Sequence, residues 1–211
     1  MRRNSKEAII EAAVFLFNTK GFSGTSIRDI ALKAGVNAAN IPYYFHGKNG
    51  LLEYCLTSYF EAYLEELEKG YALLDEGASD CLKKIVNNIL KYQCANVELT
   101  RLILREISLD SQIVREVMAT YLVKERYYLK KVFEKGIKSK EFRSHSATYA
   151  ILQIKSLLAS PFLNSQYVKE VLHILPNENY FAEKYSLEIS RWIDAVLCEP
   201  ALLAERRALL I

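Results

Sequence analysis

The sequence predicts an all-α protein in which a small N-terminal three-helix domain precedes a larger helical domain. Three observations predict it. Only four prolines and eight glycines interrupt 211 residues, apolar residues recur at three- and four-residue spacing through most of the chain, and Leu, Glu, Lys, Ala and Tyr dominate the composition. Such residues at such spacing favour long helices over short strands. Half of the residues are apolar, enough to build a sizeable buried core.

The elements follow in order. Ile9, Ala12, Ala13, Leu16 and Phe17 set a first helix over Lys6 to Thr19, with Asn4 as its cap, Glu7 three residues on, and Gly21 at its end. After a connector from Phe22 to Thr25, the run Ser26-Ile27-Arg28-Asp29 has the capping-box spacing, in which the aspartate reaches back to the cap amide. Ile27, Ile30 and Ala31 form that helix's apolar stripe. Gly35 stands where its C-terminus needs a residue that tolerates positive φ. Asn37 caps a short third helix, Ala38 to Phe45, and Pro42 within it removes a backbone donor, so this helix is expected to be kinked or shortened. Two short helices joined by a tight Gly-containing turn, behind a longer one, form a helix-turn-helix whose second helix enters the major groove of DNA.

A long helix over Leu51 to Leu74 carries Leu52, Cys55, Leu56, Tyr59, Phe60, Tyr63 and Leu67 on one side. Beyond the Asp75-Glu76-Gly77 break, helices are predicted at Ser79 to Ala95, Val97 to Leu109, Gln112 to Gly136, Ser146 to Ala159, Gln166 to Leu175 and Glu178 to Cys198. Pro161 and Pro176 set two of these boundaries. The tail Ala201 to Ile211 reads as a short amphipathic piece packed on the body, with a membrane or partner contact as the alternative. The domains are therefore residues 1–47, for DNA binding, and 48–211, for dimerisation and regulation.

Charge is distributed unevenly. Arg2, Arg3, Lys6, Lys20, Arg28, Lys33 and Lys48 face only Glu7, Glu11 and Asp29 within the first fifty residues, whereas the rest of the chain carries one acid in excess. A small basic module suits a polyanion partner, the alternative being a solvated face. Cys55, Cys81, Cys94 and Cys198 form no Cys-x-x-Cys pair and read as reduced, buried residues of a cytoplasmic protein. His46, His145 and His173 are scattered without further ligands at metal-binding spacing, so neither a zinc site nor another metal site is expected. Without a nucleophile elbow, a phosphate loop or a dinucleotide fingerprint, the reading is no enzyme and no cofactor. No apolar run reaches the roughly 18 residues of a membrane span.

The residues themselves carry a resemblance. Phe15-Leu16-Phe17, Gly21-Phe22, Thr25 to Ala31, Ala34-Gly35-Val36, Tyr43-Tyr44-Phe45, Lys48 and Leu51-Leu52, taken together, resemble the N-terminal domain of the TetR family of regulators. Pro42 departs from the family pattern, which often has an aromatic there. The resemblance implies an all-helical homodimer with one DNA-binding domain per subunit and a C-terminal domain that dimerises and often binds a ligand. On that frame Arg28 and Lys48 flank the recognition helix and reach phosphates, with Ser26 adding a phosphate contact to its cap. Ala38, Ala39 and Asn40 face base edges; Asn40 alone pairs bidentately with adenine, and the alanines offer methyl contacts to thymine. Tyr43 and Tyr44 place one hydroxyl on a phosphate and the other on a base, unless they merely pack. Ile41 and Phe45 belong to the core.

In the larger domain, Arg105 to Ser111, Tyr121 to Glu125, Leu152 to Leu158 and Leu175 to Phe181 are similar to the member of that family that regulates the division protein FtsZ in spore-forming bacilli. This implies a nucleoid-associated regulator of septation during sporulation, with FtsZ as a protein partner. Arg101, Arg105, Arg115 and Glu116, beside Glu106, suit an ion-paired partner surface, although each alone also suits a solvated face. The alternative is a ligand-responsive transcriptional repressor whose Tyr-rich helices line an apolar pocket for a small-molecule effector. A third reading is a helical interaction protein with a vestigial N-terminal domain, against which Arg28, Lys48 and the basic excess argue. The resemblance places the dimer interface in the helices over 146–159 and 178–198, with Leu152, Leu157, Trp192 and Val196 as candidates that would also suit an ordinary core.

Overall fold

A computed structural model describes residues 4–109, 111–144 and 146–200. Arg2 and Arg3 of the basic excess, Asp110, His145 and the amphipathic tail from Ala201 lie outside the described residues. The described helices are α1 (Ser5–Lys20), α2 (Ile27–Ala34), α3 (Asn40–Phe45), α4 (Lys48–Tyr71), α5 (Ala78–Ala95), α6 (Val97–Glu106), α7 (Gln112–Val117), α8 (Val123–Lys138), α9 (Ala147–Leu163), α10 (Ser165–Glu170) and α11 (Asn179–Trp192). Wider π turns come after α7, at Met118–Leu122, and after α11, at Ile193–Leu197. Among these residues there is no strand, only an isolated antiparallel bridge between Phe142 and Cys198. No described helix is long and apolar enough to cross a membrane.

By packing, the chain divides into two units. The first contains the residues up to Glu61 together with Val97–Met118, and the second contains Ala62–Asn96 with the residues from Ala119 onward. The chain-order boundary at 47/48 thus separates the first three helices in sequence, whereas in packing the first half of α4, α6 and α7 join them.

In the first unit, local chemistry dictates the helix ends. The Asn4 side chain accepts from the Lys6 amide (3.1 Å). Ser26 Oγ accepts from the Asp29 amide (3.1 Å) while the Asp29 carboxylate accepts from the Ser26 amide (3.0 Å), the full capping box. Gly35 ends α2 at φ +68°, a left-handed conformation that a side chain would strain. Ile9, Phe17, Ile30, Ile41, Phe45, Leu51, Leu56, Leu102 and Ile103 are buried in this unit.

The third helix begins later than expected. Asn37 accepts from the Ala39 amide through its side chain (2.9 Å) and from the Asn40 amide through its carbonyl (3.0 Å), so Ala38 and Ala39 form a turn ahead of α3. Pro42 accounts for the delay. It has no N–H to give the Ala38 carbonyl, so it fits only in the first turn of a helix starting at Asn40, where that donor is not needed.

The second unit buries Leu67, Leu82, Ile85, Ile89, Leu129, Phe133, Ile154, Leu158 and Ile189. α4 passes so close to α5 that a Cβ on Gly70 would stand 2.7 Å from the Ile85 backbone, which only glycine permits. Three expectations are corrected here. The helix predicted over Gln112 to Gly136 is interrupted by the π turn at Met118–Leu122. The helix predicted to reach Leu175 ends at Glu170. Pro161 does not end its helix: it lies buried inside α9, which runs on to Leu163. The Leu157 carbonyl, which residue 161 would otherwise serve, instead accepts from the Tyr185 hydroxyl of α11 at 2.9 Å. Burial pushes the Tyr185 phenol up, which keeps this donor protonated.

A buried carboxylate joins three helices of this unit. Glu125 of α8 accepts from the Tyr63 hydroxyl of α4 (2.5 Å) and from Lys155 of α9 at 2.8 and 2.6 Å on its two oxygens. The Glu125 side chain is only 4% exposed, so its charge depends on these partners.

Candidate nucleic-acid interface

The surface around α2, α3 and the start of α4 is built on α1, whose buried stripe Ile9, Ala13, Leu16 and Phe17 supports it. Ile41 and Phe45 are the buried residues of α3, so its polar and aromatic side chains are left outside. Tyr43 is 77% exposed and Tyr44 is 41% exposed, their rings edge-to-face with centroids 5.0 Å apart. Ala39 is exposed, and Ala38 and Asn40 are half-buried. Arg28 projects from α2 into solvent with no hydrogen-bond or ion-pair partner among the described residues. Arg28, Asn40, Tyr43 and Tyr44 are the side-chain donors that this stretch carries among the candidates.

Ser26 and Lys48 are placed differently. The Ser26 hydroxyl donates to the Asp29 carboxylate (2.7 Å) while accepting from the Asp29 amide, so it is already engaged in the cap. The Lys48 ammonium donates to the carbonyls of Phe22 (2.9 Å) and Thr25 (2.8 Å), and lies 4.4 Å from the centroid of the Phe22 ring. Two of its three hydrogens thus hold the connector between α1 and α2. Asp29 adds an ion pair with Lys20 at 3.7 Å, and the Ser26 hydroxyl and amide hold its carboxyl below the usual aspartate range. Lys6 lies over the Tyr54 ring at 4.3 Å and Lys33 over Phe15 at 3.5 Å, two cation–π contacts that sequence reasoning missed.

The four residues read as a partner surface do not share one environment. Arg105 donates to the Phe17 carbonyl at 2.7 Å and the Asn18 carbonyl at 3.4 Å, with Glu106 at 3.3 Å, so its guanidinium serves the last turn of α1. Arg101 pairs with Glu98 at 3.2 Å. Arg115 and Glu116 are exposed on α7, where Gln112 donates to Glu116 (2.9 Å). In sequence Arg105 reads as part of an ion-paired surface beside Glu106, because its carbonyl partners lie more than 80 residues away. Of the residues expected at a dimer interface, Leu152 is 62% exposed on α9, while Leu157, Trp192 and Val196 are half-buried. α9 and α11 also expose Tyr149, Leu163, Tyr180 and Leu187.

Residues 9–55 match the family model described as "Bacterial regulatory proteins, tetR family". Over 197 residues the chain is 44% identical to the "Probable HTH-type transcriptional regulator YttP" of Bacillus subtilis (strain 168), covering 93% of this chain and 95% of that one. A shorter match, 34% identical over 56 residues, joins 26% of this chain to 30% of the "Biofilm operon icaADBC HTH-type negative transcriptional regulator IcaR" of Staphylococcus aureus. Among solved structures, the TetR family transcriptional regulator PfmR from Thermus thermophilus superposes with a TM-score of 0.75 at 20% identity, covering 90% of this chain and 99% of the other.

Proposed function

Because the chain belongs to the TetR family of bacterial regulatory proteins, and so is a transcriptional regulator of that type, we propose that it reads palindromic duplex sites on the nucleoid as a homodimer. The observation that carries this reading is the set of outward donors on one short stretch: Arg28 for phosphate, Asn40 for a base edge, and Tyr43 and Tyr44 beside them. Ser26 supports it as the cap that starts α2, and Ala38 and Ala39 as small residues that let the turn ahead of α3 approach the groove. Residues 1–47 are the reading domain, and residues 48–211 dimerise and regulate. The exposed apolar side chains of α9 and α11, Leu152 among them, support dimerisation through those helices, with Leu157, Trp192 and Val196 at their margins.

The output proposed is modulation of FtsZ in septation and sporulation, on the resemblance of the larger domain to the FtsZ regulator RefZ. Arg101, Arg115 and Glu116 supply its partner surface, without Arg105. Purified protein mixed with FtsZ, with and without a bound duplex, tests this output. Association or altered polymerisation is expected; if neither appears while small molecules from a cell extract release the duplex, the ligand-responsive repressor is the correct reading. A monomer by sedimentation in the presence of bound duplex would refute the dimer.

A further inference from the structure

We propose that Lys48 and Arg105 are positioning residues for DNA reading: two cations, brought from α4 and α6, that fix the corner between α1 and α2 by holding its backbone carbonyls. The inference rests on the reading of α2 and α3 as the DNA interface.

The corner has more carbonyls than local donors. The last turn of α1 leaves carbonyls without helical partners, and the connector adds those of Gly21, Phe22 and Thr25. Thr25, itself buried, covers the Gly21 carbonyl with its hydroxyl (2.8 Å) and shares that hydroxyl with Leu16 (3.3 Å). Backbone amides reach two of the others, Gly21 that of Phe17 (3.0 Å) and Thr25 that of Phe22 (3.3 Å), and the two cations add a charged donor to these and cover Asn18 and Thr25. Arg105 holds the Phe17 and Asn18 carbonyls, and Lys48 holds those of Phe22 and Thr25. A cation at a helix C-terminus also meets the negative end of the backbone dipole, so Arg105 is favoured there twice. Asn18 strengthens the same corner by donating to the Glu98 carbonyl of α6 (2.8 Å).

The Thr25 carbonyl directly precedes Ser26, the residue that caps α2, so Lys48 fixes the point from which Arg28 projects. Through the Gly35 turn the same corner places α3. Loss of Lys48 leaves the carbonyls of Phe22 and of the buried Thr25 without a charged donor, and loss of Arg105 leaves those of Phe17 and Asn18 so and also takes the ion pair from the buried Glu106, so the position of α2 relaxes.

The test measures binding to two duplexes: one selected by the wild-type protein from a random pool, and a scrambled duplex of the same composition. Lys48→Met and Arg105→Met are compared with Arg28→Ala, each at a temperature where circular dichroism shows full folding. The positioning role predicts that both Met variants lose about tenfold in affinity for the selected duplex, as loss of a charge-assisted hydrogen bond would give. They should lose less on the scrambled duplex and keep the wild-type dependence of affinity on salt. Lys48→Arg should recover binding, because a guanidinium also reaches two carbonyls. Arg28→Ala should lower the salt slope by about 0.9 on both duplexes, as loss of one phosphate contact does. A Lys48→Met slope that falls like that of Arg28→Ala would make Lys48 a phosphate contact and overturn the proposal. So would Met variants that bind as wild type when folded. If the wild-type protein selects no duplex, the failure is that of the DNA-reading assignment itself, and the positioning role falls with it.

Discussion

Cations do two different jobs in the two units. At the α1–α2 corner, Lys48 and Arg105, themselves half-exposed, are aimed at neutral backbone carbonyls, with the Glu106 carboxylate beside Arg105 as the one acid they meet among the described residues. In the second unit, Lys155 meets the carboxylate of Glu125, which has almost no access to water. The difference teaches what each contact is for. A released carbonyl is neutral and costs less than a released charge, so the loss of a cation from it shifts geometry more than stability. A buried carboxylate released from its lysine has no such replacement.

The largest effect that would break this comparison is therefore expected at Lys155. Lys155→Met keeps the stem but leaves Glu125 with the Tyr63 hydroxyl as its remaining partner among the described residues. Breaking a buried pair costs about 3–5 kcal/mol, and the 37% exposure of Lys155 places this one at the low end, about 3 kcal/mol. Urea unfolding measures it. Lys155→Met combined with Glu125→Gln should recover much of the loss, because no charge is then left buried. A loss under about 1 kcal/mol, typical of an exposed pair, would mean that water reaches Glu125 after all and that the two units treat charge alike.

The next effect concerns Pro161, where the second unit satisfies a carbonyl as the first unit does, but with a neutral donor. Tyr185→Phe strips the Leu157 carbonyl of its hydroxyl and should cost about 1–2 kcal/mol. Pro161→Ala returns a backbone N–H to that carbonyl. In the Pro161→Ala background, Tyr185→Phe should then cost less by about 1 kcal/mol, a coupling that a double-mutant cycle reads directly. Additive losses would show that Tyr185 acts by packing alone.

These contacts also mark how far the sequence could be read. Asn4, the Ser26 and Asp29 box, Gly35 and the stripes of α1 and α4 were legible because each partner lies within four residues or on one helical face. The exposure of Tyr43 and Tyr44 followed from the same periodicity, since Ile41 and Phe45 took the inner positions of α3, and that of Arg28 because Ile30 and Ala31 took those of α2. Lys48 reads as a free cation in sequence because its carbonyl partners lie 23 and 26 residues away. Arg105 meets Phe17 across 88 residues, and Tyr63 meets Glu125 across 62. Pro161 misled for the same reason: the rule that proline ends a helix holds when nothing else serves the orphaned carbonyl, and the hydroxyl that serves this one comes from another helix. Pro42 did what its chemistry predicts, and it also left Ala38 and Ala39 in the turn ahead of the helix, because the Ala38 carbonyl would have needed its missing donor.

The smallest expected effect sharpens the comparison from the side of the reading domain, where short-range caps replace buried charge. α2 has only eight residues, so its cap matters. Ser26→Ala removes the acceptor for the Asp29 amide and should cost about 1 kcal/mol, as loss of an N-cap does. The pH dependence comes from Asp29. Its carboxyl is held below the ordinary range first by the Ser26 hydroxyl, then by the Ser26 amide, with Lys20 adding to both. A depressed aspartate contributes stability that is fully present above its unfolded pKa, about 3.9, and is lost as pH falls through the lower folded value. The Ala variant keeps the amide but loses the hydroxyl, so its Asp29 should titrate closer to the ordinary value. Unfolding measured in urea at about pH 6 and about pH 3 should therefore show a deficit that narrows at the lower pH, where part of the wild-type advantage has already gone. It should not vanish there, since the hydroxyl also serves the Asp29 amide at any pH. A deficit of equal size at both values, with an unmoved Asp29 resonance midpoint, would assign the whole effect to that amide and leave the carboxylate to Lys20.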